Sequence, residues 1–370
     1  LNTMHFKPVD RLPFTDIALW QQTIDRWHTE GWPRDVRGDA WLWYDDDRFG
    51  QDHISQLPVF TGMVPAFDPE VLEEDERTIT MRNPDGRVTR ALKEGTVRGQ
   101  RMSMDTYLRF PVESREDFEA IKQRYNPDSP VRYPSFWDDY AHILKRRTFP
   151  VQLPLLSTDC QGLYSCLRNW MGTERACTIF YDDPAWAEEM VEFVADTIIG
   201  VCRRALETVE VDYFLWHEDY AFKTGPLVSP RIVRKFLLPQ YRRVNDFVRA
   251  HGVDIIFLDS DGDPRVLIPM LLESGINGIL PLECAAGQDP LALRQEYGHD
   301  LLLWGGIDKR ALTQDRRAIE QELLAKIPPL MEDGGFIPTV DHAVPPDVSY
   351  ENFVYYMELK LAILEGRHGA

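Results

Sequence analysis

The chain has 370 residues, 44% apolar and 27% charged, which suits one large α/β barrel with insertions or two average domains. Its formal net charge of −19 repels nucleic-acid phosphates and anionic membrane surfaces, so neither is an expected partner. Five cysteines, odd in number and without C-x-x-C spacing, fit a reducing cytoplasm rather than a disulfide framework. No apolar run approaches the ~18 residues of a membrane span, and no basic stretch followed by an apolar core opens the sequence, so no secretory signal is expected.

In chain order, residues 11–17 predict a first strand and residues 20–30 a helix, stopped by Gly31-Trp32-Pro33. Residues 57–65 read as a second strand or a loop, because they hold two prolines. Residues 77–82 and 87–92 flank Asn83-Pro84-Asp85-Gly86, a hairpin pattern, and a hairpin in a parallel fold is an insertion. Ser114 opens a helix over 113–124, and the Pro-rich stretch 126–134 predicts a surface connection. A strand over 151–156 and helical pieces at 163–170 and 174–178 follow. Asp183-Pro184 then opens a long helix to about residue 207, with Met190, Phe193, Val194, Ile198 and Val201 on its core stripe.

Beyond residue 210 five apolar runs each end in polar, chemically capable residues. Run 211–216 leads into His217-Glu218-Asp219, and run 253–258 into Asp259-Ser260-Asp261-Gly262-Asp263. Run 276–282 leads into Glu283-Cys284, 301–304 into Gly305-Gly306-Ile307-Asp308, and 336–340 into Asp341-His342. Helical stretches separate them, the last over 349–365. This alternation predicts a parallel sheet, and closure into a (β/α)₈ TIM barrel puts all five clusters at its C-terminal mouth. No linker interrupts the chain, so residues 1–370 are expected to form one barrel domain, with the 77–92 hairpin and irregular N-terminal segments as decorations. Asp259 and Asp261 point to the same side of a strand end, where two carboxylates repel unless a cation relieves them. Asp263 suits an N-cap ahead of Pro264. Cys284 reads as a buried, inert thiol. Trp216, Tyr220 and Trp304 at strand ends, with Tyr164, Tyr181 and Phe60 nearby, would make a flat apolar slot for a planar ring.

Several landmarks together carry a family resemblance. They are Thr224-Gly225-Pro226-Leu227-Val228-Ser229-Pro230 before a helix with Leu237-Leu238-Pro239-Gln240-Tyr241, then Asp259-x-Asp261-Gly262 and Asn277-Gly278-Ile279. Leu303-Trp304-Gly305-Gly306-Ile307-Asp308, Gly334-Gly335-Phe336-Ile337 and Val344-Pro345-Pro346 complete them. Residues 212–365 thereby resemble the uroporphyrinogen decarboxylase superfamily, which also contains the methyltransferases of corrinoid-dependent methyl transfer. The porphyrin-decarboxylating members carry an Arg-rich segment near the N-terminus, whereas residues 12–27 here hold only Arg26. The thiol-methylating members bind zinc with His-x-Cys-Gly and a Cys before the last Pro-Pro. This chain has Asp259-x-Asp261-Gly262 and His342-Ala343-Val344-Pro345-Pro346, which keeps ligand types but removes the soft sulfurs.

The resemblance implies a metal-assisted methyltransferase working on an oxygen-linked substrate, an aryl methyl ether, with a corrinoid (cobalamin) supplied by a partner protein. Asp259, Asp261 and His342 would hold a divalent ion, zinc by the family's pattern. Glu218 would be the general acid with His217 beside it, and Glu283 a further ligand or substrate contact. Trp216, Tyr220, Trp304 and Tyr181 would line the substrate slot. The chain lacks the Asp-x-His-x-x-Gly corrinoid-binding motif, and the family implies a homodimer. Decarboxylation, metal-dependent hydrolysis at the same mouth, and a non-catalytic small-molecule-binding role are the rival readings.

Overall fold

The structure is a computed structural model that describes residues 1–33, 49–97, 100–101, 105–157 and 159–367. Seven parallel strands form its central sheet, in the spatial order Ser55–Gln56, Val151–Leu153, Tyr213–His217, Ile255–Asp259, Gly278–Leu280, Leu302–Trp304 and Phe336–Ile337. Spatial order equals chain order, as successive right-handed β-α-β crossovers produce. The sheet curls into a TIM-barrel-like α/β fold. Each run after residue 210 forms its predicted strand with shifted ends: the first two start two residues later and reach one residue further, to His217 and Asp259, and the other three are shorter than their runs. The 276–282 run stops at Leu280 because Pro281 has no N–H for the ladder, and the 151–156 run stops before Pro154 for the same reason.

Alternation along the strands sorts the core into two layers. Tyr213, Leu215, Ile255, Phe257, Leu280, Leu302, Trp304 and Ile337 face inward and fill the barrel. Phe214, Trp216, Ile256, Leu258, Ile279, Leu303 and Phe336 face outward against the helices. The helix Pro184–Thr208 is capped by Asp183, which accepts from Trp186 N at 3.1 Å, and Pro184 sits at its first position, where a missing N–H costs nothing. Ser114 and Asp117 close a reciprocal capping box on the helix Arg115–Lys122.

In the N-terminal part the 57–65 segment takes the loop alternative and is not in the sheet; the strand is Ser55–Gln56, just before it. Residues 11–17 form no strand either, since Pro13 cannot donate to a ladder and side chains take over the pairing. Segment 12–19 runs between the two sheet edges as extended chain. Asp52 N donates to Phe14 O at 2.7 Å on one side. On the other, Val340 N donates to Asp16 Oδ1 at 3.1 Å and Leu19 bridges Val344.

The predicted hairpin forms from Thr78–Arg82 and Val88–Leu92, in register from Thr78↔Leu92 to Arg82↔Val88. It is part of a larger insertion, because Glu70–Glu74 and Thr106–Arg109 add an edge strand on each side. Neither edge alternates apolar and polar residues, so periodicity gave no signal for them. No helix among the described residues is long and apolar enough to cross a membrane.

Candidate active site at the barrel mouth

Parallel pairing sets His217 directly opposite Asp259 at the C-terminal ends of adjacent strands. The side chains exploit that register: His217 Nδ1 lies 2.9 Å from Asp259 Oδ2. The second ring nitrogen, Nε2, faces the mouth, 4.0 Å from Asp219 Oδ2. Burial works against charge on His217, but the hydrogen bond to Asp259 and the charges of Asp259, Asp219 and Asp261 outweigh it. Its pKa is pushed up to about 9. Burial also raises the Asp259 carboxyl above its usual range, with the His217 imidazolium opposing that. The two directions are compatible with an imidazolium–carboxylate pair at neutral pH.

A second pair lies beside the first. His342 Nε2 is 3.5 Å from Asp261 Oδ2. Burial opposes charge on both, yet their mutual attraction holds His342 above and Asp261 below its ordinary value. Around them Arg168 binds Asp219 Oδ2 at 2.8 Å, and Lys309 Nζ lies 3.4 Å from the buried Asp341. Four basic groups, His217, His342, Arg168 and Lys309, thus face Asp259, Asp261, Asp219 and Asp341 in a strongly acidic protein. Arg168 and Lys309 were missed in sequence. Both come from elements whose only sequence signal was helical, and a lone basic residue on a helix has no motif.

The three predicted metal ligands are not arranged about one point. Asp261 and His342 pair with each other, while Asp259 is taken by His217. Among the described residues no three His, Cys, Asp or Glu side chains are placed to hold a metal ion. The donor set therefore does not fit the expected divalent ion, and the chemistry below runs through protons.

Glu218 is turned the other way. One residue past His217, it faces outward, fully buried against the helix Leu163–Met171. Oε1 accepts from Tyr164 N at 3.1 Å and from the Tyr241 hydroxyl; Oε2 accepts from Ser165 N and Ser165 Oγ, each at 2.9 Å. Burial raises its pKa against these donors. A carboxylate anchored at a helix N-terminus on the far side of the wall is a poor acid for substrate at the mouth. It positions the helix instead. Gly162 allows the close approach, since a Cβ there would lie 2.1 Å from His217 O and 2.7 Å from the Glu218 carboxyl.

The aromatic slot does not assemble at the mouth. Trp216 faces outward, fully buried, with its indole N–H on Asn245 Oδ1 at 2.9 Å, and Tyr220 is likewise buried in the outer layer. Tyr181 stands exposed on the helix Thr173–Asp182. Trp304 faces into the barrel against Phe257 and Tyr213. An aromatic ring near the acid–base pairs is Trp20, its centroid 6.2 Å from that of His342. Glu283 does sit beside the site, Oε2 accepting from Gly262 N at 2.9 Å. Cys284 contacts Gly306 O at 3.3 Å, and burial pushes its thiol up to about 12, so it stays protonated. Asp263 accepts from Arg265 N at 3.2 Å, near the expected capping role.

An imidazole titration tests the first pair without any substrate. NMR of His217 should show the cation persisting to a pKa near 9, and Asp259→Asn should move it down towards 6.5. A wild-type value at or below 6.5 would remove the acid from the site.

The sequence model of the uroporphyrinogen decarboxylase (URO-D) family matches residues 107–360. No curated protein matches the chain. Among solved structures the fold is similar to a methyltransferase from Methanosarcina mazei, with TM-score 0.60 and 12% identity, covering 98% of this chain and 97% of that one. A B12-independent methionine synthase from Shewanella sp. W3-18-1, in complex with selenomethionine, is similar at TM-score 0.38 and 15% identity, over 62% of this chain and 67% of that one. At 12% identity the likeness to the Methanosarcina protein is one of fold.

Proposed function

Because the chain belongs to the uroporphyrinogen decarboxylase family, we propose that it is an enzyme of the methyl-transferring kind. It moves a methyl group from an aryl methyl ether to a corrinoid carried by a partner protein. The observation that carries this reading is the His217–Asp259 pair, a cationic acid held with one ring nitrogen fixed and the other turned to the mouth. The fold shared with a methyltransferase supports it. So does the state of the basic residues. Arg26, alone in its segment, is engaged by Glu30 and by Pro346 O, each at 2.6 Å, and both mouth cations are matched by Asp219 and Asp341. These three basic residues are thus engaged by the protein itself, which weighs against their serving a substrate with many carboxylates and so against porphyrin decarboxylation.

A reduced corrinoid, brought by the partner protein, would supply the cobalt nucleophile that accepts the methyl group. The chain's own part is proton delivery. As the methyl–oxygen bond breaks, its electron pair goes to the ether oxygen, and the proton on His217 Nε2 follows it. His217 is left neutral, its Nδ1–H still on Asp259, and solvent returns the proton. A phenol leaves with a pKa of about 10 by analogy with Tyr. An acid near 9 is closely matched to that oxygen, the condition for efficient general acid catalysis.

Incubating the protein with a methoxyphenol and cob(I)alamin should yield methylcobalamin and the demethylated phenol in equal amounts. Carbon dioxide release from a tetrapyrrole carboxylate, with no methylcobalamin from any methyl ether tried, would replace this reading by decarboxylation.

A further inference from the structure

At the opposite end of the barrel from the mouth lies a cavity of about 410 Å³. Its entrance follows from its walls: Tyr213 and Ile255 are the first residues of their strands, and residues 148–150 immediately precede the strand Val151–Leu153, while Trp304 and Ile337, the last residues of theirs, close its depth inside the barrel. Inside, Tyr213, Phe257 and Trp304 meet edge to face. Their ring centroids are 6.0 Å (Tyr213–Trp304), 5.4 Å (Phe257–Trp304) and 6.2 Å (Tyr213–Phe257) apart, at 65°, 76° and 86°. Phe149 stands at the entrance with His53 edge-on at 4.5 Å, and His53 and Thr148 are exposed on the rim.

From this geometry we infer that the floor cavity is a second binding site, for a neutral planar aromatic molecule of one or two rings. Three mutually steep rings offer a flat guest both face and edge contacts, the arrangement aromatic pairs prefer. The volume lies in the range of small-molecule sites, with an apolar depth and a polar rim to orient the guest. Neutrality follows from the pairing of Asp52 on the wall. Asp52 is held by both guanidinium nitrogens of Arg11 at 2.7 Å and by Phe14 N at 2.8 Å, so the pair carries no net charge to draw in a cation or an anion. Leu215, two residues before His217 and fully buried in the inner layer, lies between this cavity and the mouth. The guest therefore does not compete with a substrate at His217, and the inference stands whatever reaction the mouth performs.

Indole is the probe. Calorimetric titration of the full chain should give saturable binding with a Kd of about 1 mM or tighter. Indole-3-acetate should bind at least about tenfold more weakly. His217→Gln should bind indole as the wild type does, while Thr148→Trp, at an exposed rim position, should weaken it by about tenfold or more. A wild-type crystal soaked with 5-bromoindole should place the bromine between Phe257 and Thr148, a result independent of any variant. Absence of saturable binding, bromine at the mouth, or undiminished binding in a folded Thr148→Trp protein would each overturn the site.

Discussion

His217→Gln is expected to lower the rate of methyl transfer by about 10²–10⁴-fold at pH 7, the range for loss of a general acid, with the fold retained. Gln keeps an amide able to donate to Asp259, so the strand-end geometry survives, but it has no proton to give the leaving oxygen. The pH dependence should identify the proton. In the wild type kcat/KM should fall as pH rises through about 9, when the imidazolium is lost. Asp259→Asn should move that limb to lower pH, because the interactions that hold the proton on His217 are led by its bond to Asp259. Stability follows the same proton. With a folded pKa near 9 and an ordinary value of 6.5, protonation of His217 stabilises the fold fully below about 6.5, and that contribution is lost as pH rises towards 9. A His217→Gln enzyme with the wild-type rate, or an unchanged alkaline limb in Asp259→Asn, would take His217 out of the mechanism.

How much of this was legible in sequence depended on which periodicity carried the signal. The strands beyond residue 210 were readable because apolar runs end in polar clusters, and parallel strands buried on both faces read that way. The clusters were correctly placed at one end of the sheet, and the Asp261–His342 approach was anticipated across eighty residues of chain. What failed was the facing of single residues. His217 and Glu218 are neighbours, and strand alternation sends one into the mouth and the other into the wall. Without the register, the larger carboxylate looked like the acid. The same one-residue step turned Trp216 outward. The strand expected over residues 11–17 failed for a different reason: the segment pairs through the Asp16 side chain, which no backbone periodicity encodes.

That side chain sets the largest expected loss of stability. Asp16 and Lys360 are both essentially inaccessible, with Lys360 Nζ 2.7 Å from Asp16 Oδ2 and 2.8 Å from Thr15 O. Tyr356 donates to the same Oδ2 at 2.6 Å, and Val340 N to Oδ1 at 3.1 Å. Burial holds the Lys360 pKa below the usual lysine value even with Asp16 beside it, so the pair only partly offsets the cost of desolvating it. Lys360→Met, close in shape and apolar, leaves the carboxylate buried without its cation. Urea unfolding should show a loss of about 3–5 kcal/mol. The double variant Asp16→Asn/Lys360→Met removes both charges while keeping an acceptor for Val340, and should lose less than Lys360→Met alone. A single variant within about 1 kcal/mol of wild type would mean that backbone contacts close the barrel without the pair. The consequence reaches the mouth, because His342 lies between Val340, which binds Asp16, and Val344, which pairs with Leu19. Loosening segment 12–19 should therefore weaken the His342–Asp261 pair, and the His342 imidazole should titrate at a lower pH in Lys360→Met than in the wild type.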